Sequence, residues 1–361
     1  MPDSRNKKRI LICPLDWGFG HATRCIPIIR ELIQQNAEVI IAAPPALKAI
    51  FQKEFPQLTR IDAPAYAVKY SRFFSLPFML FLQLPRLLYT VKKENKWLKA
   101  VIEKHNVNIV ISDNRYGLYS KKIPCVFITH QLFIPAPFFA NTINRINHAY
   151  INKFICCWVP DAEGPNNLSG HLSHGEHQLK HIHYTGPLSR FKTTAKNTTE
   201  FSYNCCILLS GPEPQRTVLE ELLIKQLNTT NKKIVFIRGT LKAPALAVNN
   251  KSVEVHDFLN GTALQDCIEK SEYVICRSGY SSIMDLEALQ KKAILIPTPG
   301  QAEQEYLAQH LSEKFNCAVI QQNEWQQYDL FDEEQLKKIQ PIHIPENHHY
   351  LSNAITQLLK N

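Results

Sequence analysis

Tyr273-Val-Ile-Cys-Arg277-Ser278-Gly279-Tyr280-Ser281-Ser282-Ile283-Met284-Asp285-Leu286, continued by Ala293-Ile-Leu-Ile-Pro297-Thr-Pro-Gly300-Gln301-Ala-Glu303-Gln304-Glu305-Tyr306, is the stretch on which the fold turns. Tyr273 to Cys276 is a short apolar run, which reads as a buried strand. Gly279 breaks it, and Ser281 or Ser282 opens a helix that runs through Leu289. Ala293 to Ile296 is a second buried strand, and a Pro/Gly loop leads into a second helix near Glu303. Two strand-loop-helix joints in succession predict an α/β domain with a parallel sheet. In such sheets ligands bind beyond the carboxyl ends of the strands. A helix N-terminus at that edge offers unpaired N–H groups and partial positive charge, which suits phosphate.

The same residues also suit a plainer reading. Ser282 and Asp285 have the spacing of a capping box, and Gly279 serves as a turn residue. Capping does not call for Gln301, Glu303, Gln304 and Glu305 beyond the second strand. A site that pairs several sugar hydroxyls does, since each buried hydroxyl needs a partner.

Cys-Arg-Ser-Gly, an acidic residue in the following helix, and a Pro-x8-Tyr loop ending in Gln-x-Tyr together resemble the C-terminal half of MurG-like glycosyltransferases of family 28. The resemblance is specific from Arg277 to Tyr306 and looser elsewhere. It implies the GT-B fold, in which two Rossmann-like α/β domains turn their parallel sheets toward each other across a cleft. It divides the chain into an acceptor-binding domain over 1–187, a nucleotide-sugar-binding domain over 188–345, and a helix at 346–361 that crosses back to the first.

The chain's 361 residues suffice for two domains. The formal charge of +9 comes without a basic run interleaved with aromatics, so nucleic acid is not an expected partner. The charge suits phosphorylated substrates and anionic membranes. Ten cysteines are scattered without Cys-x-x-Cys spacing, and several lie in apolar runs. They read as free thiols in a reducing cytosol. The apolar run Ile10 to Cys13 is too short for a signal-peptide core. No run of about 18 clean apolar residues predicts a membrane-spanning helix.

Arg9 to Leu15 is the expected first strand, Asp16 to Ala22 a loop, Thr23 to Gln35 a helix and Val39 to Ala42 the second strand. Gly18-x-Gly20 falls short of a dinucleotide fingerprint, which argues against a nicotinamide cofactor. The loop resembles the glycine-rich first loop of the family, which ends in Gly-His, although Asp16 and Trp17 stand where the family more often has glycines. His21 is either a capping or packing residue or a polar group on the acceptor side. In the second role it is a candidate base, since a neutral imidazole can take a proton near pH 7.

Tyr70 to Tyr89 is strongly apolar, with Pro77, Pro85 and Arg86, and is followed by Lys92, Lys93, Lys96 and Lys99 opposed only by Glu94. It reads as a buried helix pair or as an apolar wedge in a membrane interface over 72–99. The resemblance favours peripheral contact with the inner face of the plasma membrane. Two further strands, Asn108 to Ser112 and Val126 to Thr129, end in polar clusters. In the family these loops line the acceptor side, which nominates Gly18, Gly20, Asn114, Arg115, His130 and Gln131. Asp113 either pairs with Arg115 or competes with His21 as catalytic base. The His-rich segment Asn166 to His181 lacks metal-ligand spacing and reads as a polar surface loop.

Gly186-Pro187-x-x-Arg190 marks the junction, and Lys192 to Thr199 reads as a linker. Cys205 to Leu209 is the next strand, followed by Gly211 and Arg216 where the family approaches the donor diphosphate; of the family's Gly-Gly-Ser-x-Gly only Gly211 remains. The resemblance places the uracil edge near Phe258 and Leu259.

The implied chemistry is inverting glycosyl transfer from a UDP-sugar to a lipid-linked or glycolipid hydroxyl. The sequence has no Asp-x-Asp, so no metal is expected; no other cofactor is expected either. Arg277, Ser278, Gly279, Ser281 and Ser282 would face the leaving diphosphate, Asp285 the ribose, and Gln301, Gln304 and Glu305 the sugar. Two alternatives remain open. A nucleotide-sugar epimerase or hydrolase would act without acceptor. A non-catalytic sugar-nucleotide-binding protein would tolerate His21→Ala and Asp113→Ala.

Overall fold

The computed structural model describes residues 7–66, 76–136, 139–192, 200–240, 246–325, 332–344 and 350–360, with the side chains of Ala46, 76–85 and Glu333 excepted. The linker over 193–199 and Arg72 to Ser75 of the apolar stretch lie outside them. The chain divides into two compact units. One joins 77–190 to the segments before residue 70 and after 344; the other is 191–344.

In the first unit the strands are β1 (Arg9–Cys13), β2 (Glu38–Ala43), β3 (Thr59–Asp62), β4 (Ile109–Asp113), β5 (Cys125–Ile128), β6 (Cys156–Val159) and β7 (Ile182–Tyr184). They form one sheet in the order β3-β2-β1-β4-β5-β6-β7, and every pairing is parallel. The helices are α1 (Phe19–Gln34), α2 (Pro45–Glu54), α3 (Leu76–His105) and α4 (Ala140–Ile151). A parallel sheet covered on both faces wants continuous apolar strands, not alternating ones. Ile10 to Cys13 and Ile109 to Ile111 meet that demand, each buried to within 1%.

The second unit repeats the pattern. Its strands are β8 (Tyr203–Leu208), β9 (Ile234–Ile237), β10 (Val253–His256), β11 (Ser271–Cys276), β12 (Lys292–Leu295) and β13 (Ala318–Val319). They run parallel in the order β10-β9-β8-β11-β12-β13. Its helices are α5 (Gln215–Thr229), α6 (Gly261–Glu269), α7 (Tyr280–Ala288), α8 (Ala302–Phe315) and α9 (Glu333–Lys338). The final helix, α10 (Tyr350–Lys360), packs on α1 of the first unit. Gln35 Nε2 donates to Ser352 O at 3.0 Å and Thr356 Oγ1 to Gln35 Oε1 at 3.0 Å. The architecture is the expected α/β one.

Two elements differ from expectation. The stretch from Leu76 to His105 is one helix, not a helix pair. Pro77 sits in its first turn, where a missing N–H costs nothing, and the helix continues past Pro85. The segment 166–181 is a surface loop only in part: Asn166, His171, Glu176, Gln178, Lys180 and His181 are exposed. Asn167, Ser169, Gly170, Leu172 and Ser173 are buried. The Asp161 carboxylate accepts hydrogen bonds from the backbone N–H of Ala162 (2.8 Å), Leu168 (2.9 Å) and Ser169 (2.8 Å). His174 stacks on Tyr184 at 4.8 Å between ring centroids, so at least one of the histidines is a packing residue.

Candidate active site

Both sheets reverse strand order beside their first strand, β1 against β4 in one unit and β8 against β11 in the other. At such a point the two flanking loops leave in opposite directions and open a crevice beyond the strand ends. Gly18 to His21 and Asp113 to Arg115 fall at the first of these places, and Gly211, Arg216 and Arg277 to Ser282 at the second, while His130 and Gln131 follow β5, Phe258 and Leu259 follow β10, and Gln301, Gln304 and Glu305 follow β12.

In the first unit Gly18 caps α1 with φ 117°, so the helix begins at Phe19, earlier than expected. His21 therefore lies in its first turn. Arg24 and Cys25 follow three and four positions on, which puts all three on one helix face. That face meets the end of β4. His21 Nδ1 lies 2.9 Å from Asp113 Oδ2, Arg24 Nε donates to Asp113 Oδ1 at 2.8 Å, and Arg24 Nη2 donates to the same oxygen. Arg24 Nη1 approaches His130 Nδ1 at 3.3 Å, and Cys25 Sγ lies 3.9 Å from Asp113 Oδ2. Asp113 is fully buried and Arg24 is 2% exposed, while the His21 side chain keeps 17% of its surface.

Asp113 Oδ2 can only accept, and Arg24 Nη2, 2.8 Å from the same ring nitrogen, can only donate. When His21 Nδ1 pairs with Asp113 it carries the proton, and the ring keeps a lone pair on Nε2. Burial and the neighbouring guanidinium hold His21 below the usual imidazole value, with Asp113 pulling the other way. Burial pushes the Asp113 carboxyl up, but Arg24 and His21 outweigh it and hold it below the usual carboxylate range. The cluster thus presents a neutral imidazole backed by an ionised carboxylate.

Of the two alternatives for Asp113, pairing with Arg115 is not the one that forms. Arg115 is fully buried, and its Nε donates to Glu94 Oε1 at 2.6 Å. Its other nitrogens donate to Pro14 O, at 3.1 Å, and to Pro64 O. Glu94, also fully buried, accepts further bonds from Tyr66 Oη at 2.5 Å and Gly117 N at 3.2 Å. Two residues past Asp113, Arg115 is therefore turned into the scaffold and clamps α3 to the strand ends; its nomination as an acceptor residue is revised. Asn114, at φ 55°, is half-buried beside it. Gln131, also half-buried, donates its N–H to Thr129 Oγ1 at 3.0 Å. Gly18 is exposed, and Gly20 lies within α1.

In the second unit β11 leads into Arg277, Ser278 and Gly279, and Gly279 caps α7. Arg277 differs from expectation. It is 1% exposed and gives its guanidinium hydrogens to Ile296 O and Pro297 O, both at 3.2 Å, to Gln215 O at 3.0 Å and to Gln322 Oε1 at 2.6 Å. All these partners are uncharged, and burial lowers its pKa to about 10. It ties the ends of β12 and β13 to the start of α5, so direct contact with a diphosphate is revised to a supporting role. Ser278 Oγ donates to Gln304 O at 2.7 Å. Gly279 leaves open space where a Cβ would stand, Ser281 and Ser282 are half-buried in the first turn of α7, and Asp285 is 9% exposed one turn on.

The loop before α8 is folded on itself. Gln304 Oε1 accepts from Thr298 N at 3.1 Å and Thr298 Oγ1 at 3.0 Å, and Gln304 Nε2 donates to Gln301 Oε1 at 2.6 Å. Glu305 Oε1 accepts from Gly300 N at 2.8 Å. Gln304 and Glu305 thus shape this loop with the atoms that were expected to read a sugar. Arg216 also serves the scaffold: it donates to Glu213 Oε1 at 2.6 Å and Glu220 Oε2 at 2.9 Å, and Glu220 in turn binds Arg238 at 2.8 and 2.9 Å. Arg238 reaches on to Asp257 Oδ1 at 2.6 Å, next to half-buried Phe258 and Leu259. Gly211, at φ 106°, is exposed beyond β8 with nothing near its Cβ position.

Sequence reasoning missed Arg24, Glu94, Glu220 and Arg238. Arg24 left one trace, a charge inside the apolar run from Ala22 to Ile29 at helical spacing from His21. Among the described residues no cluster of three or more His, Cys, Asp or Glu could hold a metal ion.

Residues 215–345 match the glycosyltransferase family 28 C-terminal domain. No curated protein matches the chain. Among solved structures the chain is similar to MurG of Acinetobacter baumannii, with a TM-score of 0.58 at 14% identity, covering 98% of this chain and 100% of that one. It is similar to UGT89C1 of Arabidopsis thaliana, solved with quercetin, with a TM-score of 0.64 at 9% identity over 98% and 100%. The glycosyltransferase VinC, solved with DTDP, gives a TM-score of 0.59 at 12% identity over 98% of both chains.

Proposed function

We propose that this chain, whose residues 215–345 match the family 28 C-terminal domain and whose fold is similar to that of MurG, is a MurG-like glycosyltransferase that transfers a hexose, N-acetylglucosamine being the first candidate, from a UDP-sugar to a hydroxyl of a lipid-linked or glycolipid acceptor. Transfer inverts the anomeric centre and uses no metal. The observation that carries this reading is the hydrogen bond of 2.9 Å between His21 Nδ1 and Asp113 Oδ2 at the carboxyl edge of β1 and β4.

His21 is the base. Its Nε2 lone pair takes the proton of the acceptor hydroxyl, and Asp113 holds the ring in the tautomer that allows it and stabilises the imidazolium that forms. Asp113 does not compete for the proton, since its carboxyl titrates low. Donor binding falls to Gly211, Ser278, Gly279, Ser281, Ser282, Asp285 and Gln301, with Phe258 and Leu259 toward the base of the nucleotide. The diphosphate lies at the start of α7, where Gly279 lets it approach the backbone and the helix N-terminus favours negative charge. Buried Arg277, with only uncharged partners, adds positive potential there without touching the ligand. VinC, of the same fold, was solved with DTDP, which supports a nucleoside diphosphate donor.

A lipid acceptor requires contact with a membrane. Lys92, Lys93, Lys96 and Lys99 are exposed on α3, and Leu88 and Tyr89 are exposed beside them at 43% and 67%. Glu94, the one acid among these lysines, is buried against Arg115 and does not offset them at the surface. Among the described residues no helix is long and apolar enough to cross a membrane, so contact would be peripheral.

The test is a donor screen across UDP-, GDP- and TDP-sugars with a membrane extract as acceptor, for wild type and His21→Ala. Acceptor-dependent sugar transfer from a UDP-sugar, lost in the variant, is expected. UDP release without acceptor would assign a hydrolase or epimerase instead. Binding without turnover in both proteins would leave a sugar-nucleotide-binding protein.

A further inference from the structure

We infer that Arg238 is a positioning residue for the nucleotide: held from behind by Glu220, it reaches forward to Asp257 and fixes the loop over 257–260 that carries Phe258 and Leu259. β9 and β10 end side by side, Ile237 against His256. Past that point Arg238 N donates to His256 O at 2.9 Å and Thr240 N to Asp257 O at 2.9 Å, so the backbone pairing outlasts the strands. On the other flank Gly239, at φ 68°, lies against the exit of β8, where an added Cβ would collide with Leu209 O. The chain leaving β9 is therefore wedged between the exits of β8 and β10.

The side chain continues the arrangement. Arg238 Nε and Nη2 donate to Glu220 Oε2 and Oε1 at 2.8 and 2.9 Å, the two-toothed fit of a guanidinium to a carboxylate. Its Nη1 is left to donate to Asp257 Oδ1 at 2.6 Å. Arg216 Nη1 ties the same group to α5, donating to Glu220 Oε2 at 2.9 Å and to Arg238 O at 3.2 Å. Burial pushes the Glu220 carboxyl up, but its bonds to Arg238 and Arg216 outweigh it and hold it below the usual carboxylate range. The guanidinium is thus fixed from behind whether or not a ligand is bound. Asp257 is different in kind, since its side chain keeps 60% of its surface. A pair with one partner that open to water adds little to the stability of the fold. Its effect falls on the loop instead. Phe258 and Leu259 follow Asp257 directly, and Asn260 then caps α6. The loop is tied by α6 at one end and by Arg238 at the other. On the proposed reading, which this part of the inference rests on, a loop already in place receives the base of the nucleotide without a cost of ordering. Arg238 and Asp257 touch no reacting atom, so they serve ground state and transition state alike and set KM for the donor, not kcat.

The experiment is a calorimetric titration of the intact chain with UDP, joined to donor kinetics and melting curves. Asp257→Ala should weaken UDP about tenfold, the effect of leaving the ordering of one loop contact to the binding step. KM for the donor should rise by the same factor, with kcat and melting temperature unchanged. Asp257→Asn still offers Arg238 an oxygen and should stay within about threefold of the wild type. In an Arg238→Met background Asp257→Ala should add less than about twofold, because its effect passes through Arg238. If Arg238→Met does not fold, the contrast between Asp257→Ala and Asp257→Asn decides. Unaltered UDP affinity in Asp257→Ala, an equal loss in Asp257→Asn, or a loss that follows a fall in melting temperature overturns the inference. A wild type that binds no UDP removes the proposed donor, and the hold on the loop is then read from hydrogen exchange. The Thr240 amide should exchange faster in Asp257→Ala than in the wild type, and equal rates overturn the inference.

Discussion

Replacing Arg115 by Met separates a scaffold role from an acceptor role at the residue two places beyond Asp113. The substitution keeps the length of the side chain and removes the ion pair to Glu94 together with the hydrogen bonds to Pro14 O and Pro64 O. Glu94 keeps only Tyr66 Oη and Gly117 N as donors inside a site with no exposure. Stranding one partner of a buried pair costs about 3–5 kcal/mol. For a unit of this size about 4 kcal/mol lowers the melting temperature by about 8–16 °C. Removing the second charge as well, in Arg115→Met/Glu94→Leu, should recover more than about 1 kcal/mol, because no lone charge is left in the core. Urea unfolding and calorimetry of the two variants measure this, with the KM for acceptor taken at a temperature where both remain folded. A loss below about 1 kcal/mol in the single variant, or a raised KM without a loss of stability, refutes the reasoning and returns Arg115 to the acceptor side.

Four further outcomes are expected. His21→Ala should lower kcat by about 10²–10⁴-fold in a transfer assay while leaving the fold intact. His21 and Asp113 both titrate below their usual values, so their contribution to stability is complete above about pH 6.5, the unperturbed imidazole value, and declines as pH falls. His21→Gln should flatten the melting-temperature curve in the first unit or two below that point. Gly117→Ala should destabilise, because its Cβ would lie 2.4 Å from Val91 O and 2.6 Å from Glu94 Cβ; about 1–3 kcal/mol is expected by denaturant titration. In liposome flotation with anionic vesicles, Lys92→Glu/Lys93→Glu and Leu88→Asp/Tyr89→Asp should each reduce binding without a change in melting temperature, since these side chains are exposed.

Much of this arrangement is legible in the residues because parallel strands advertise themselves. Ile10 to Cys13, Ile109 to Ile111 and Val274 to Cys276 are apolar without alternation; polar residues follow the last two at once, at Ser112 and Arg277, and the first after Pro14 and Leu15, at Asp16. What periodicity does not encode is which way a polar residue turns once the strand has ended. Asp113 and Arg115 look equivalent in sequence, yet one meets α1 and the other meets Glu94, 21 residues earlier on α3. Arg277 looks like an anion ligand but is consumed by backbone carbonyls of the adjacent strand end, partners that leave no mark on the sequence. The segment 166–181 looked like a solvated loop by composition, yet its stretch around Leu168 and Ser169 is buried, because Asp161, seven and eight residues earlier, gathers their backbone donors. Arg24 was hidden for the opposite reason: it lies inside an apolar helix face, where a charge is visible but its partner is not.

The docking of α10 on α1 has a consequence for synthesis on the ribosome. Residues 350–360 emerge only after the whole of 191–344 has been made, so the second unit can reach its native form while the first still lacks a helix. Until then the surface of α1 that receives Ser352 and Thr356 stays uncovered, on the helix that also carries His21 and Arg24. Truncating the chain before residue 350 should therefore weaken the first unit, not the second.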